Sequence, residues 1–378
     1  MAGVMISCGE PSGDLYAGAL ATALRRRAPG LDIYGFGGSR LSAAGGELIG
    51  SYEGHSVTGL AEVVRTLPRT WRMYRQLVAE AERRRPDVFV AIDFADFNFR
   101  LGQALHRRGI PVVYYIGPQL WAWRPGRMQV IKRFADKVLV IFPFEQALYE
   151  KAGVPVSFVG HPLIDLIGRS SERTALLIQH GLSTAARTIA VLPGSRRNEV
   201  AGTLPTLLEA CTRLREAEPD LQFLIARAPG LDDEQFAAVR QSGLPIGLHD
   251  GDTDAVLAAS DLVLTASGTA TVQTALHGKP MVIVYRLSPL TYRLGRRFVK
   301  LDTFGMVNLI AGRRIVPELI QDDFTVARVV DEALRFLRDE AYTARVRADL
   351  AAVVTALGGP GASERAATEV LAVATRRA

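Results

Sequence analysis

Two glycine-containing turns in the second half of the chain carry the groups an anion needs. In Leu192-Pro193-Gly194-Ser195-Arg196-Arg197-Asn198-Glu199-Val200, Gly194 lets the backbone approach a ligand, and Arg196 offers a two-pronged guanidinium to phosphate. Ser267-Gly268-Thr269 opens a helix whose first N–H groups and positive dipole end favour negative charge. Taken singly, a surface arginine and an ordinary capped helix are the plainer readings. Together, and without a Walker-type Gly-Lys-Ser/Thr pattern, the turns favour a nucleoside diphosphate held without a dedicated metal cage.

The first half offers different chemistry. Asp93 follows the apolar run Asp87–Ile92 and stands where a general base would sit, with a structural carboxylate as the alternative. Asp96 and Asn98 suit substrate hydroxyls, although helix capping is the plainer role for Asn98. Cys8-Gly9-Glu10-Pro11-Ser12-Gly13-Asp14 occupies the first strand-to-helix turn but lacks the full Gly-x-Gly-x-x-Gly of a dinucleotide site. His161 in Gly160-His161-Pro162 is a lone histidine, a type more often structural than catalytic. Gly117-Pro118-Gln119-Leu120-Trp121-Ala122-Trp123-Arg124 puts two of the three tryptophans in one loop. They suit a sugar face or an apolar chain, or simply plug a core edge.

The elements that must position these groups alternate along the chain. Val4–Cys8, Asp87–Asp93, Pro111–Ile116, Lys137–Phe142 and Val156–Gly160 read as strands, with helices at Leu15–Arg27, Arg100–Arg108, Gly126–Phe134 and Phe144–Ala152. After a weak stretch over Gly168–Thr188 the pattern restarts. Ile189–Leu192, Gln222–Ala226, Asp261–Ala266 and Met281–Tyr285 read as strands there, and Thr203–Ala217 and Thr269–His277 as helices. The expected fold is α/β, two Rossmann-like doubly wound domains facing a cleft. The domains are placed at 1–168 and 185–345, with a helical tail over 346–378 that could pack back on the first.

Composition narrows the class. The 378 residues are 48% hydrophobic and 22% charged, which excludes a disordered or collagen-like chain. The net charge of +6 suggests acidic partners, and only five of the 45 cations are lysine, the rest being the better phosphate forks. Cys8 and Cys211 form no metal spacing or disulfide framework, which reads as a reducing compartment. With no spanning run or signal peptide evident, the expectation is a cytoplasmic protein. Val57, Leu60, Val64, Leu67, Trp71, Tyr74 and Val78 recur at helical spacing with arginines between them, interrupted by Pro68. A core-facing amphipathic helix is the reading that spacing alone supports, and an interfacial lipid patch is the other. The arginines are scattered and no stacking platform is visible, so nucleic acid is not expected as a partner.

In order and spacing, these motifs resemble the lipid-A-disaccharide synthases, inverting glycosyltransferases of the GT-B fold. The resemblance runs through Gly9–Asp14, Ile92–Asn98, Trp121–Arg124, Pro143–Glu145, Gly160-His161, Leu192–Arg196, Ala266–Ala270, Pro280–Val282, Tyr285-Arg286 and Asn308–Arg313. It implies transfer from UDP-2,3-diacylglucosamine to 2,3-diacylglucosamine 1-phosphate through a β(1→6) bond, releasing UDP, with no cofactor and no metal. By resemblance Asp93 is the general base and Arg196 an activity-determining contact to UDP. The UDP-sugar would meet Gly194, Ser195, Arg196, Ser267, Gly268, Thr269, Gln273 and Asn308. The acceptor would meet Glu10, Ser12, Gly13, Asp14, Asp96, Asn98, Trp123 and His161. Val57–Leu77 falls on the family's membrane-associating patch. This implies peripheral attachment to the cytoplasmic face of the inner membrane and an anionic lipid surface as partner, and leaves a homodimer open.

The chain departs from the pattern at Gln273, where the fold commonly places a ribose-binding glutamate; glutamine lacks the charge-assisted bond. The first motif has Pro11 and the aspartate motif Phe94-Ala95 in place of the usual Ala-Ser and Ala-Pro, and neither change removes a reactive group. A UDP-sugar 2-epimerase and a lipid-binding protein without catalysis are the competing readings.

Overall fold

The apolar runs become strands of two parallel sheets, each buried on both faces as parallel sheets require. The computed structural model describes residues 3–52, 60–117, 125–168, 173–286, 303 and 305–375, with the backbone only for 60–67 and 125. The chain divides into two units, Met1–Leu166 with Leu357–Ala378, and Ile167–Ala356.

In the first unit the strands are β1 (Gly3–Cys8), β2 (Asp32–Gly37), β3 (Glu47–Ser51), β4 (Val88–Ile92), β5 (Val112–Tyr115), β6 (Lys137–Val140) and β7 (Val156–Phe158). They lie in the order β3-β2-β1-β4-β5-β6-β7. The second unit holds β8 (Thr188–Leu192), β9 (Gln222–Arg227), β10 (Ile246–Asp250), β11 (Leu262–Ala266), β12 (Met281–Tyr285) and β13 (Glu318–Ile320), ordered β10-β9-β8-β11-β12-β13. Every paired strand runs parallel to its neighbour. Each sheet reverses its winding once, between β1 and β4 and between β8 and β11. Open α/β sheets bind ligands at these switch points, beyond the carboxyl ends of the strands.

β1, β4, β8 and β11 are buried along their whole lengths, so the turns that follow them start from rigid supports. β2, β3, β10 and β13 carry no clear apolar run in the sequence. β2 reads Asp-Ile-Tyr-Gly-Phe-Gly, and β13 has only 3 residues at a sheet edge.

The terminal helices divide between the units. Helix Glu340–Ala356, most of which the sequence places in the tail, belongs to the second unit and packs on helices Thr269–Leu276 and Met306–Ala311. Helix Ala362–Thr375 belongs to the first unit and lies on helix Pro11–Arg27, where Arg26 and Arg27 pair with Glu364. Its first turn is fixed by Asp165, which accepts from the amides of Gly361 and Ser363 at 2.6 and 3.1 Å. No helix among the described residues is long and apolar enough to cross a membrane.

Candidate functional site

In the first unit, the turns after β1 and β4 are neighbours because Cys8 and Ile92 are paired in register. Asp93 and Phe94 both take left-handed φ angles, 45° and 49°, immediately before helix Ala95–His106. Two consecutive non-glycine residues in this region cost roughly 1–3 kcal/mol each and persist only where their surroundings over-determine them. Here the surroundings are explicit. The Asp93 carbonyl accepts from Asn98 Nδ2 at 2.9 Å and from the Tyr114 hydroxyl at 3.0 Å. Phe94 stacks on Phe97 and Phe36, and a Cβ at Gly9 would stand 2.3 Å from the Phe94 ring, so only glycine admits that ring. The half-buried Asp93 carboxylate is felt by Tyr16 and Cys8. Burial raises both groups first; Asp14 raises Cys8 next, and the Asp93 charge raises both further.

Asn98 is wholly buried. Besides the Asp93 carbonyl it donates to the carbonyls of Ser7 and Ile92, and its oxygen accepts from the Ser7 hydroxyl at 2.7 Å. It therefore ties the ends of β1 and β4 to the strained turn. Replacing Asn98 with alanine strands these buried groups and is expected to cost about 3 kcal/mol of stability. A fall in the urea midpoint, accompanied by lower turnover in the protein that remains folded, checks this.

Two further residues of the expected acceptor set are bonded to the chain itself. Asp14 is buried, and its oxygens accept from the amides of Gly38, Arg40 and Leu41 at 2.7, 2.9 and 3.2 Å, fixing the start of helix Ser39–Ala43. His161 is also buried; its Nδ1 accepts from the Leu163 amide at 3.2 Å, and its own amide donates to Leu357. Burial lowers its pKa to about 3, so it stands neutral between Tyr16 and Phe142. Glu10, which precedes helix Pro11–Arg27, and Ser12, in its first turn, stay partly exposed, and Gly13 lies buried against Cys8. Asp96 is exposed and paired with Arg127, which the sequence did not single out. Trp123 and Val57 lie outside the described residues, as do the side chains of Leu60, Val64 and Leu67. Helix Leu60–Arg84 continues through the exposed Pro68, where water can replace the bond that proline cannot donate. It buries Leu77, Val78 and Ala81 but leaves Trp71 56% exposed, so the core-facing reading holds for its final turns and not for Trp71.

In the second unit, β8 and β11 are paired through Leu192 and Thr265, so their turns are adjacent too. Gly194 has φ +132°, and a Cβ there would meet Glu199 at 2.5 Å. The Glu199 carboxylate accepts from the Ser195 amide at 3.0 Å and pairs with Arg196 at 3.3 Å, shaping the loop and aiming the guanidinium. Beside it, the Tyr285 hydroxyl is raised in pKa by burial and then by the charge of Glu199. Gly268 begins helix Thr269–Leu276 at φ 148° with no side-chain cap, and the Thr271 amide turns back to the Gly268 carbonyl at 3.0 Å. Gln273, one turn on, donates to Asp254. Asn308 is bonded to the chain itself. Buried completely, it gives both amide protons to Val316 and Glu318 and accepts from the amides of Ile315 and Val316, which uses its full capacity on the chain.

A model of the family described as Lipid-A-disaccharide synthetase matches residues 4–373. The chain belongs to the lipid-A-disaccharide synthase family. Relatives bearing that name include those of Koribacter versatilis, 45% identical with 99% of each chain covered, and Geobacter sulfurreducens, 42% identical with 97% of this chain and 96% of the relative covered. Membership makes this chain a glycosyltransferase of lipid A disaccharide synthesis and sets the epimerase reading aside. Solved structures similar in fold include the Neisseria meningitidis UDP-GlcNAc 2-epimerase bound to UDP-GlcNAc. It has a TM-score of 0.70 at 14% identity, covering 98% of this chain and 100% of that one. The kitacinnamycin glycotransferase has a TM-score of 0.65 at 18% identity, with 98% and 99% covered. Such likenesses give the fold, which is GT-B, and nothing finer.

Within this family frame the structure adds residues the sequence reading missed. Glu199 was legible as an acid three positions after Arg196, the spacing that brings side chains together on a helix. Tyr114, Arg127 and Asp254 had no local signal, because each reaches its partner from another element.

Proposed function

We propose that this chain joins UDP-2,3-diacylglucosamine to 2,3-diacylglucosamine 1-phosphate through a β(1→6) bond and releases UDP. The acceptor 6-hydroxyl attacks the anomeric carbon of the donor while the bond to UDP breaks. Asp93 takes the hydroxyl proton late in this step, since a free hydroxyl is far too weak an acid to ionise beforehand. Arg196 and the helix start at Gly268-Thr269 receive the charge that develops on the departing diphosphate, the Ser267 amide being held by the Val284 carbonyl at 3.0 Å. Ser195 and Gln273 complete the donor side, and Glu10, Ser12 and Asp96 the acceptor side.

One observation carries this reading: the carboxylate turn and the two anion-suited turns all follow strands that flank switch points. The exposed Trp71, with Arg69, Arg72 and Arg75 exposed beside it, supports peripheral binding at an anionic membrane face, where indole enters the interface and guanidinium meets headgroups. The protein incubated with both diacylated sugars is expected to yield a disaccharide 1-phosphate and one UDP per bond formed, read by mass spectrometry. UDP released without disaccharide, or a donor sugar returned epimerised, would overturn the reading.

A further inference from the structure

Gln273 lies four residues after Thr269, on the same face of its helix as the exposed helix start. Its amide is held in one orientation. Nε2 donates to Asp254 Oδ1 at 2.8 Å, and His277 Nε2 lies 2.8 Å from the same oxygen. A carboxylate can only accept, so the amide must turn its NH2 toward Asp254; the flipped amide would set two oxygens against each other. Asp254 sits in the first turn of helix Thr253–Ala259, where the helix dipole favours its charge, and the Asp252 cap on the Ala255 amide fixes that turn. Gln273 is thereby left with Oε1, an acceptor, as the end that points away from Asp254.

We propose that Asp254 is a positioning residue for donor recognition, orienting Gln273 so that Oε1 accepts from the vicinal hydroxyls of the ribose. This rests on the donor site proposed above. It also changes the meaning of glutamine at this position. The negative charge is present one helix away, and it acts through the amide. A glutamate at 273 would stand against Asp254 as a like charge, so restoring the acid weakens binding instead of strengthening it.

The test is calorimetric titration of the full-length protein and its variants with UDP and with 2′,3′-dideoxy-UDP. Asp254→Ala is expected to weaken UDP about tenfold and to leave the dideoxy compound unchanged, because only the ribose hydroxyls use the oriented oxygen. Gln273→Glu is expected to weaken UDP by a similar factor. Asp254→Asn in that background restores it to within about threefold of the parent, since the amide now donates to the new carboxylate. This reversal does not depend on Asp254→Ala folding well. Additive effects of the two substitutions, or equal losses for both nucleotides, would overturn the role of Asp254. UDP binding that is undiminished by Arg196→Ala would instead remove the donor site on which it stands.

Discussion

Arg196→Ala lowers turnover by about two to three decades, with a far smaller change in the concentration of donor needed for half-saturation. The magnitude follows from the charge at stake. Removing one preorganised donor to a developing oxyanion costs about 3–4 kcal/mol. The guanidinium is about half exposed and contacts Glu199 at 3.3 Å. That exposed pair contributes at most about 1 kcal/mol to folding, and Glu199 keeps its bond to the Ser195 amide in the variant. The loop therefore survives and the defect stays in the chemical step. Steady-state release of UDP, with a thermal midpoint measured alongside, separates the two quantities. A loss below tenfold would move the stabilisation of the leaving group to other residues.

Asp93→Asn lowers turnover by about two to four decades, the usual worth of a positioned general base. The substitution is clean for structural reasons. The strained turn is held by the main-chain carbonyl of Asp93, which Asn98 and Tyr114 bind without reference to the side chain. Asparagine also tolerates the left-handed conformation at φ 45° as well as aspartate does. The variant is expected to keep the turn and to bind UDP normally. Single-turnover kinetics with saturating acceptor measure the loss, and near-parental turnover would take Asp93 out of the reaction.

The candidate site is read from signals that are local. Asp93, Arg196 and Ser267–Thr269 are candidates because they are polar residues directly after apolar runs, and strand ends are where α/β proteins put chemistry. Asp14, Asn98, His161 and Asn308 had the same local appearance and proved to be committed to the chain itself. Their type and position give no sign of that. Asp14 meets a helix that starts 25 residues later, and Asn98 meets Ser7 across two paired strands. Strand expectations failed in the same manner at β2, β3, β10 and β13, whose glycines, polar residues or shortness blur the apolar pattern while neighbouring strands still supply the hydrogen bonds.

The sequence by itself determined the alternation of elements, the α/β class, the turns that carry the candidate groups, and the family. These depend on periodicity and on residue types close together in the chain. Only the tertiary structure decided which turns become neighbours, which polar residues are consumed in holding them, and that Asp254 comes to lie against Gln273. The physical reason is that a side chain's partner is set by strand order and helix packing. Both arise from the joint burial of segments far apart in the chain, and no local pattern records the result.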